Sequence, residues 1–162
     1  IGPIINDNQL MKIKSQLDDA ISKGAKIELG GKIEGRFIEP TILTNISSDM
    51  KIYDEETFGP IVIILPFRND EEAINLANDS QYGLSSGVFT NNEERGFNIA
   101  NSLETGMCHV NCSSINDEPH IPFGGSKSSG LGRHGGRWST ETFTETRWVT
   151  LDRGKRPFPP AF

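Results

Sequence analysis

Apolar residues near the start of the chain recur at helical spacing. Leu10, Ile13, Leu17, Ala20 and Ile21 share one face of a segment over residues 7–23, and Gly24 is its natural stop. Residues 26–29 read as a short strand, Gly30-Gly31 as a turn, and residues 37–43 as extended chain with Pro40 marking an edge or a kink. Residues 61–67 form an unbroken apolar run of the kind found in a strand covered on both faces. A helix follows over 69–78 with Ala73, Ile74 and Ala77 inward. Its first turn carries Asp70, Glu71 and Glu72, which suits the positive end of the helix dipole. Then come a strand over 84–90, a helix over 91–103 capped by Asn91 or Asn92, and a strand over 107–111. This alternation predicts an α/β class with right-handed crossovers: a layered, mostly parallel sheet with helices on both faces.

The pattern changes over residues 112–136. Pro119, Pro122 and glycines 124, 125, 130, 132, 135 and 136 interrupt it, and the stretch reads as a long loop of functional type between core elements. Residues 143–151 return to extended character with Trp148 and Val149, and the proline-rich end over 153–162 reads as a tail.

Composition narrows the classes. At 162 residues the chain is one ordinary domain, or a domain plus a tail, and needs neither disulfide nor metal to hold a core. It begins with Ile1 rather than Met, as an excised polypeptide would. A net charge of -6 argues against general affinity for nucleic-acid backbones. The longest purely aliphatic run, 61–65, falls far short of the roughly 20 residues that span a membrane, so no membrane partner is expected. Cys108 and Cys112, if on one strand, lie about 13 Å apart at strand rise, beyond the roughly 7 Å that a disulfide tolerates. Their reading is two small half-buried hydrophobes in a reducing, cytoplasmic setting, with no metal site.

Three places carry candidate chemistry. Asp54, Glu55 and Glu56 precede Phe58 and Gly59-Pro60. Such carboxylates can accept hydrogen bonds from sugar hydroxyls while the aromatic packs on a sugar or base; the bland alternative is a solvated acidic loop with Phe58 in the core. Residues 124–130 superficially match a phosphate-binding loop, but Ser126 stands where that pattern needs glycine before Lys127. His109 fits a structural strand position, and His120 and His134 flank the glycine-rich stretch.

Glu55-Glu56-Thr57-Phe58-Gly59-Pro60 resembles a signature segment of the aldehyde dehydrogenase superfamily. So do Tyr82-Gly83-Leu84 with Val88-Phe89-Thr90, Gly106 with Val110-Asn111, and residues 122–133, all in the family's order and near its spacing. The resemblance covers the chain from Gly2-Pro3 to about Leu151 and implies the C-terminal part of such an enzyme. Residues 1–142 would be part of the catalytic domain, 143–152 an oligomerisation strand and 153–162 a tail. Family members oxidise an aldehyde to a carboxylic acid with NAD or NADP: a cysteine thiolate attacks the carbonyl, hydride passes to the nicotinamide, and a glutamate helps water cleave the thioester.

By the same resemblance the nucleophilic cysteine, the base glutamate and the dinucleotide-binding domain lie outside this chain. Cys108 and Cys112 match later strand positions and are not the nucleophile, so the chain alone is expected to be inactive. Glu56 matches a clamp on the nicotinamide ribose hydroxyls, and Phe58 the aromatic beside that ribose. Phe123 matches an aromatic of the substrate tunnel, whose mouth residues 113–121 would line, with Ile115 among them. Where many relatives carry glutamate after Gly-x-Gly-Arg this chain has His134, which could substitute in a proton relay. The segment from Asp117 to Phe123 looks most like the aryl-aldehyde branch (vanillin, benzaldehyde and salicylaldehyde dehydrogenases). The partners implied are an aldehyde, the remainder of the parent enzyme and further copies of it, as a dimer or tetramer. The alternative is a non-catalytic binding or assembly subunit that keeps the fold; a nucleotide hydrolase fails on spacing.

Overall fold

Asn6 opens the first helix, α1 (Asp7–Ser22). Its backbone is extended (φ -155°, ψ 172°) and its side-chain oxygen accepts from the Gln9 N–H at 2.9 Å. The far end closes as a Schellman motif: Ala25 N–H reaches the Ala20 carbonyl and Gly24 N–H the Ile21 carbonyl, with Gly24 at φ +98°. The buried face is Leu10, Ile13, Gln16, Leu17 and Ala20, so the predicted stripe is present except for Ile21, which is exposed in the last turn, and a glutamine is set into it.

The computed structural model describes residues 1–151, 153 and 154. Asp152, and residues 155–162 of the tail predicted over 153–162, lie outside the described residues. The chain divides into two units, Ile1–Gln81 with Asn101–Leu103, and Tyr82–Ala100 with Glu104 onward.

In the first unit, β1 (Lys26–Leu29), β2 (Ile33–Glu34), β3 (Phe37–Ile38) and β4 (Thr41–Thr44) follow α1; then come α2 (Lys51–Asp54), β5 (Ile61–Ile63) and α3 (Asp70–Asn78). Pro40 splits the extended segment into β3 and β4, as its missing N–H requires. One sheet runs β1-β4-β5, antiparallel then parallel, and β2-β3 is a separate hairpin. Leu17, Ala20, Leu43, Met50 and Ile52 form one core cluster, and Ile4, Leu10, Ile13 and Ile38 a second. Helix α3 has its cap at Asn69, which accepts from the Glu72 N–H at 2.9 Å, while Arg68 donates to both Glu72 oxygens.

Two expectations are corrected here. The run over 61–67 forms only the three-residue β5, on the sheet edge, with Val62 60% exposed; an apolar run secures cover only where the chain supplies a covering layer. In α3 no residue is fully buried and Ala77 is exposed, so the half-buried face is Ala73, Ile74 and Leu76.

The second unit contains β6 (Tyr82–Gly83), β7 (Ser85–Val88), most of α4 (Glu93–Ser102), β8 (Met107–Val110), β9 (Ser126–Lys127) and α5 (Gly136–Phe143). The β7-β8 pair is parallel across the α4 crossover, and β6-β9 is antiparallel. Asn92 is the α4 cap, accepting from the Arg95 N–H at 2.9 Å. The α/β class stands, with ladders that mix parallel and antiparallel pairs. Phe143, predicted to begin extended chain, is instead the last residue of α5, a helix hidden in the sequence by Gly135-Gly136 at its start. Residues 144–151 follow without a ladder partner among the described residues, and Trp148 and Val149 are exposed.

Candidate active site

The segment from Glu55 to Pro60 leaves the end of α2 and enters β5, and α1 runs beneath it. Asp19 of α1 accepts the Lys51 N–H at 2.8 Å, which fixes the start of α2. That bond holds the Asp19 carboxyl below the usual carboxylate range, against some desolvation, with Lys23 adding to the lowering. Gln16, fully buried, shares its amide N–H between the Glu55 carbonyl (3.4 Å) and the Glu55 Oε2 (3.3 Å). Its Oε1 is buried with no hydrogen-bond partner among the described residues. Gln9, two turns earlier, donates to the Thr57 carbonyl at 2.7 Å and the Phe58 carbonyl at 3.3 Å. Between them Ile13 lies so close under Gly59 that a Cβ there would fall 2.7 Å from its Cδ1. At the far side the Pro60 carbonyl accepts the Thr41 N–H at 2.9 Å, which joins the segment to the sheet.

This support sets an unusual backbone. Phe58 stands at φ +50°, a conformation that costs a bulky residue about 1–3 kcal/mol. Its ring is 76% exposed, and Glu56 is exposed as well. The core alternative for Phe58 is therefore excluded: the structure presents an aromatic face and a carboxylate together on one braced turn. A carboxylate accepts from vicinal hydroxyls and an aromatic packs on a ring, so the pair has the chemistry to hold a sugar.

In the second unit, Phe123 and His134 are joined by two backbone hydrogen bonds: Phe123 N–H to the His134 carbonyl at 2.8 Å and the reverse at 2.7 Å. Phe123 is half-buried and His134 exposed, while Ile115 is 91% exposed. A cavity of about 210 Å³ is bounded by Met107, Cys108, His109, Asp117, Ile121 and Phe123, among others. Cys108 faces it; Cys112 is exposed, and both are free thiols. The His109 Nε2 is buried with no hydrogen-bond partner among the described residues. Among the described residues no cluster of His, Cys, Asp and Glu could hold a metal.

The glycine-rich loop is spent on internal ties. Ser126 Oγ donates to the Glu104 carbonyl at 2.8 Å, Ser129 Oγ accepts the Gly83 N–H at 2.9 Å, and Lys127 pairs with Glu104 at 2.7 Å. Gly106 approaches the same loop so closely that a Cβ would sit 1.8 Å from the Gly124 carbonyl oxygen. These are the contacts of a packed loop rather than a phosphate cradle.

The sequence offered Glu56, Phe58, Phe123, Ile115 and His134 as candidates and passed over Gln9 and Gln16, whose hydrogen bonds brace the Glu55–Pro60 segment. The available signal was a polar residue at the buried spacing, since Gln16 falls three residues after Ile13 on the apolar stripe of α1.

The aldehyde dehydrogenase family model matches residues 1–149. A vanillin dehydrogenase of Pseudomonas fluorescens is 42% identical over 98% of this chain and 33% of its own length. A benzaldehyde dehydrogenase of Bacillus subtilis is 46% identical over the same shares. The crystal structure of a salicylaldehyde dehydrogenase from Pseudomonas putida G7 complexed with salicylaldehyde superimposes with a TM-score of 0.93 at 43% identity, covering 98% of this chain and 33% of that one. A Mycobacterium tuberculosis aldehyde dehydrogenase complexed with NAD+ gives a TM-score of 0.87 at 37% identity, over 95% and 32%. The chain thus spans about a third of the length of the relatives it matches. On the strength of the match to residues 1–149, the chain belongs to the aldehyde dehydrogenase family.

Proposed function

We propose that this chain forms part of an NAD(P)-dependent aldehyde dehydrogenase that oxidises an aromatic aldehyde to its carboxylic acid. Likeness to vanillin, benzaldehyde and salicylaldehyde dehydrogenases carries the substrate class. Glu56 accepts hydrogen bonds from the nicotinamide ribose and Phe58 packs beside it, a role their joint exposure on a braced turn supports. When bound, the nicotinamide supplies the hydride acceptor. Phe123 and Ile115 contribute to the substrate passage, and His134 occupies the position of a proton-relay group. The nucleophilic cysteine and the base glutamate come from polypeptide outside these 162 residues. Cys108 and Cys112 do not replace them, and the 162-residue chain alone is inactive.

The active form is a homo-oligomer, dimer or tetramer, in the cytoplasm. Its contacts include residues 143–152, a reading that the exposed Trp148, Val149 and Leu151 support. The test is NAD- and NADP-coupled oxidation of vanillin, benzaldehyde and salicylaldehyde by the intact gene product. Turnover faster than with aliphatic aldehydes is expected, and the opposite order overturns the substrate class. Turnover by the isolated chain overturns its inactivity, and a monomeric intact enzyme in light scattering overturns the oligomer. A non-catalytic assembly subunit, the second reading, would bind the dinucleotide without turnover.

A further inference from the structure

We propose that Gln16 is a positioning residue for the dinucleotide: its buried amide holds Glu55, and through Glu55 sets where the Glu56–Phe58 turn presents its carboxylate and ring. The inference rests on the reading of Glu56 and Phe58 as the ribose clamp.

Three observations carry it. Gln16 is fully buried on the apolar face of α1, where a leucine or methionine would satisfy packing alone. Its amide N–H groups point at Glu55, the residue that immediately precedes the clamp, and reach both its carbonyl and its carboxylate. Its carbonyl oxygen has no hydrogen-bond partner among the described residues, so the residue carries a buried polar group that packing does not require. A side chain kept for stability alone would not be built this way; one kept to hold a loop would. The Phe58 backbone supplies the need. A turn with a bulky residue at φ +50° persists only when its neighbours over-determine it. Gln9 grips the two carbonyls at the turn, and Gln16 grips the residue that enters it. Both reach up from α1, seven residues and about two helical turns apart.

The test uses the intact gene product and four variants: Gln16→Met, Glu55→Ala, the double variant, and Glu56→Gln as the control on the clamp. NADH and NADPH are titrated by fluorescence, KM and kcat are measured with vanillin, and Tm is measured without ligand. Gln16→Met is expected to keep or raise Tm, because an unpaired buried acceptor is removed. It should weaken dinucleotide binding about five- to tenfold, with KM for the cofactor rising in step and kcat changing less. Glu55→Ala keeps the bond to the residue 55 carbonyl and should weaken binding less, and the double variant should bind no worse than Gln16→Met, which already removes both contacts. If Glu56→Gln weakens binding and Gln16→Met does not, the positioning role is wrong and the clamp stands. If Gln16→Met lowers Tm and binding together, Gln16 is an ordinary packing residue and the inference is overturned. If Glu56→Gln binds both dinucleotides as the wild type does, the clamp reading itself falls.

Discussion

The two units are held together by different physics. The first contains both core clusters, and Ile13, Leu43 and Ala20 are completely withdrawn from water. In the second, the only described residues that count as buried are Gly83, Gly96 and Gly125, and Phe89 and Phe97 are largely exposed. It relies on backbone ladders, on close glycine approaches and on serine ties such as Ser129 to Gly83. Apolar burial contributes about 25 cal/mol per Å² and tolerates small shifts, whereas a hydrogen-bonded loop packed on glycines contributes less net and tolerates almost none. The first unit can therefore carry its own stability and brace a strained turn. The second has exact geometry around the Phe123 bridge with little apolar burial within its own residues.

Core truncation separates the two most widely. Leu43→Ala should cost the first unit about 3–4 kcal/mol in urea unfolding, by lost transfer energy plus a cavity. Phe89→Ala, 73% exposed, should cost the second under about 1 kcal/mol; equal costs would break the contrast. Next comes a close approach. Gly106→Ala must push aside the Gly124 carbonyl and should cost about 2–3 kcal/mol, read as faster amide exchange over β8 and β9.

The smaller effects are pH-dependent and belong to the first unit. Tyr53 donates to Asp79 Oδ2 at 2.6 Å, and that bond, with burial and the Asp79 and Asp54 charges adding, pushes its phenol up to about 12 from 10.0. A raised acid keeps its proton in the fold, so its contribution is complete below pH 10 and disappears as pH rises toward 12. Tyr53→Phe should flatten that alkaline decline in the urea midpoint. Asp19 runs the other way. Its carboxyl, lowered chiefly by the Lys51 N–H, contributes above its ordinary value of 3.8 and loses that contribution as pH falls through the lower folded value. Asp19→Asn should remove part of the acid-side loss, measured by circular dichroism, and is the smallest of the pH effects because an asparagine Oδ1 still accepts the Lys51 N–H.

Much of this molecule was legible in the sequence. Local signals sufficed for α1, where apolar spacing and Gly24 agree, and for α3 and α4, where Asn69 and Asn92 mark the starts. The Glu55–Pro60 and Pro122–Arg133 motifs were enough to place the chain in its family, because a turn that needs glycine, proline and an aromatic in set order leaves a record in residue types. What the sequence could not disclose depends on partners distant along the chain. Whether Val62 is covered, whether Phe58 turns inward or outward, and what Gln16 holds 39 residues away were decided only when α1, α2 and the sheet packed together. The reason is physical. Helix caps and periodicity report interactions within a few residues, while burial and the hydrogen bonds of a buried amide are properties of the assembled neighbourhood.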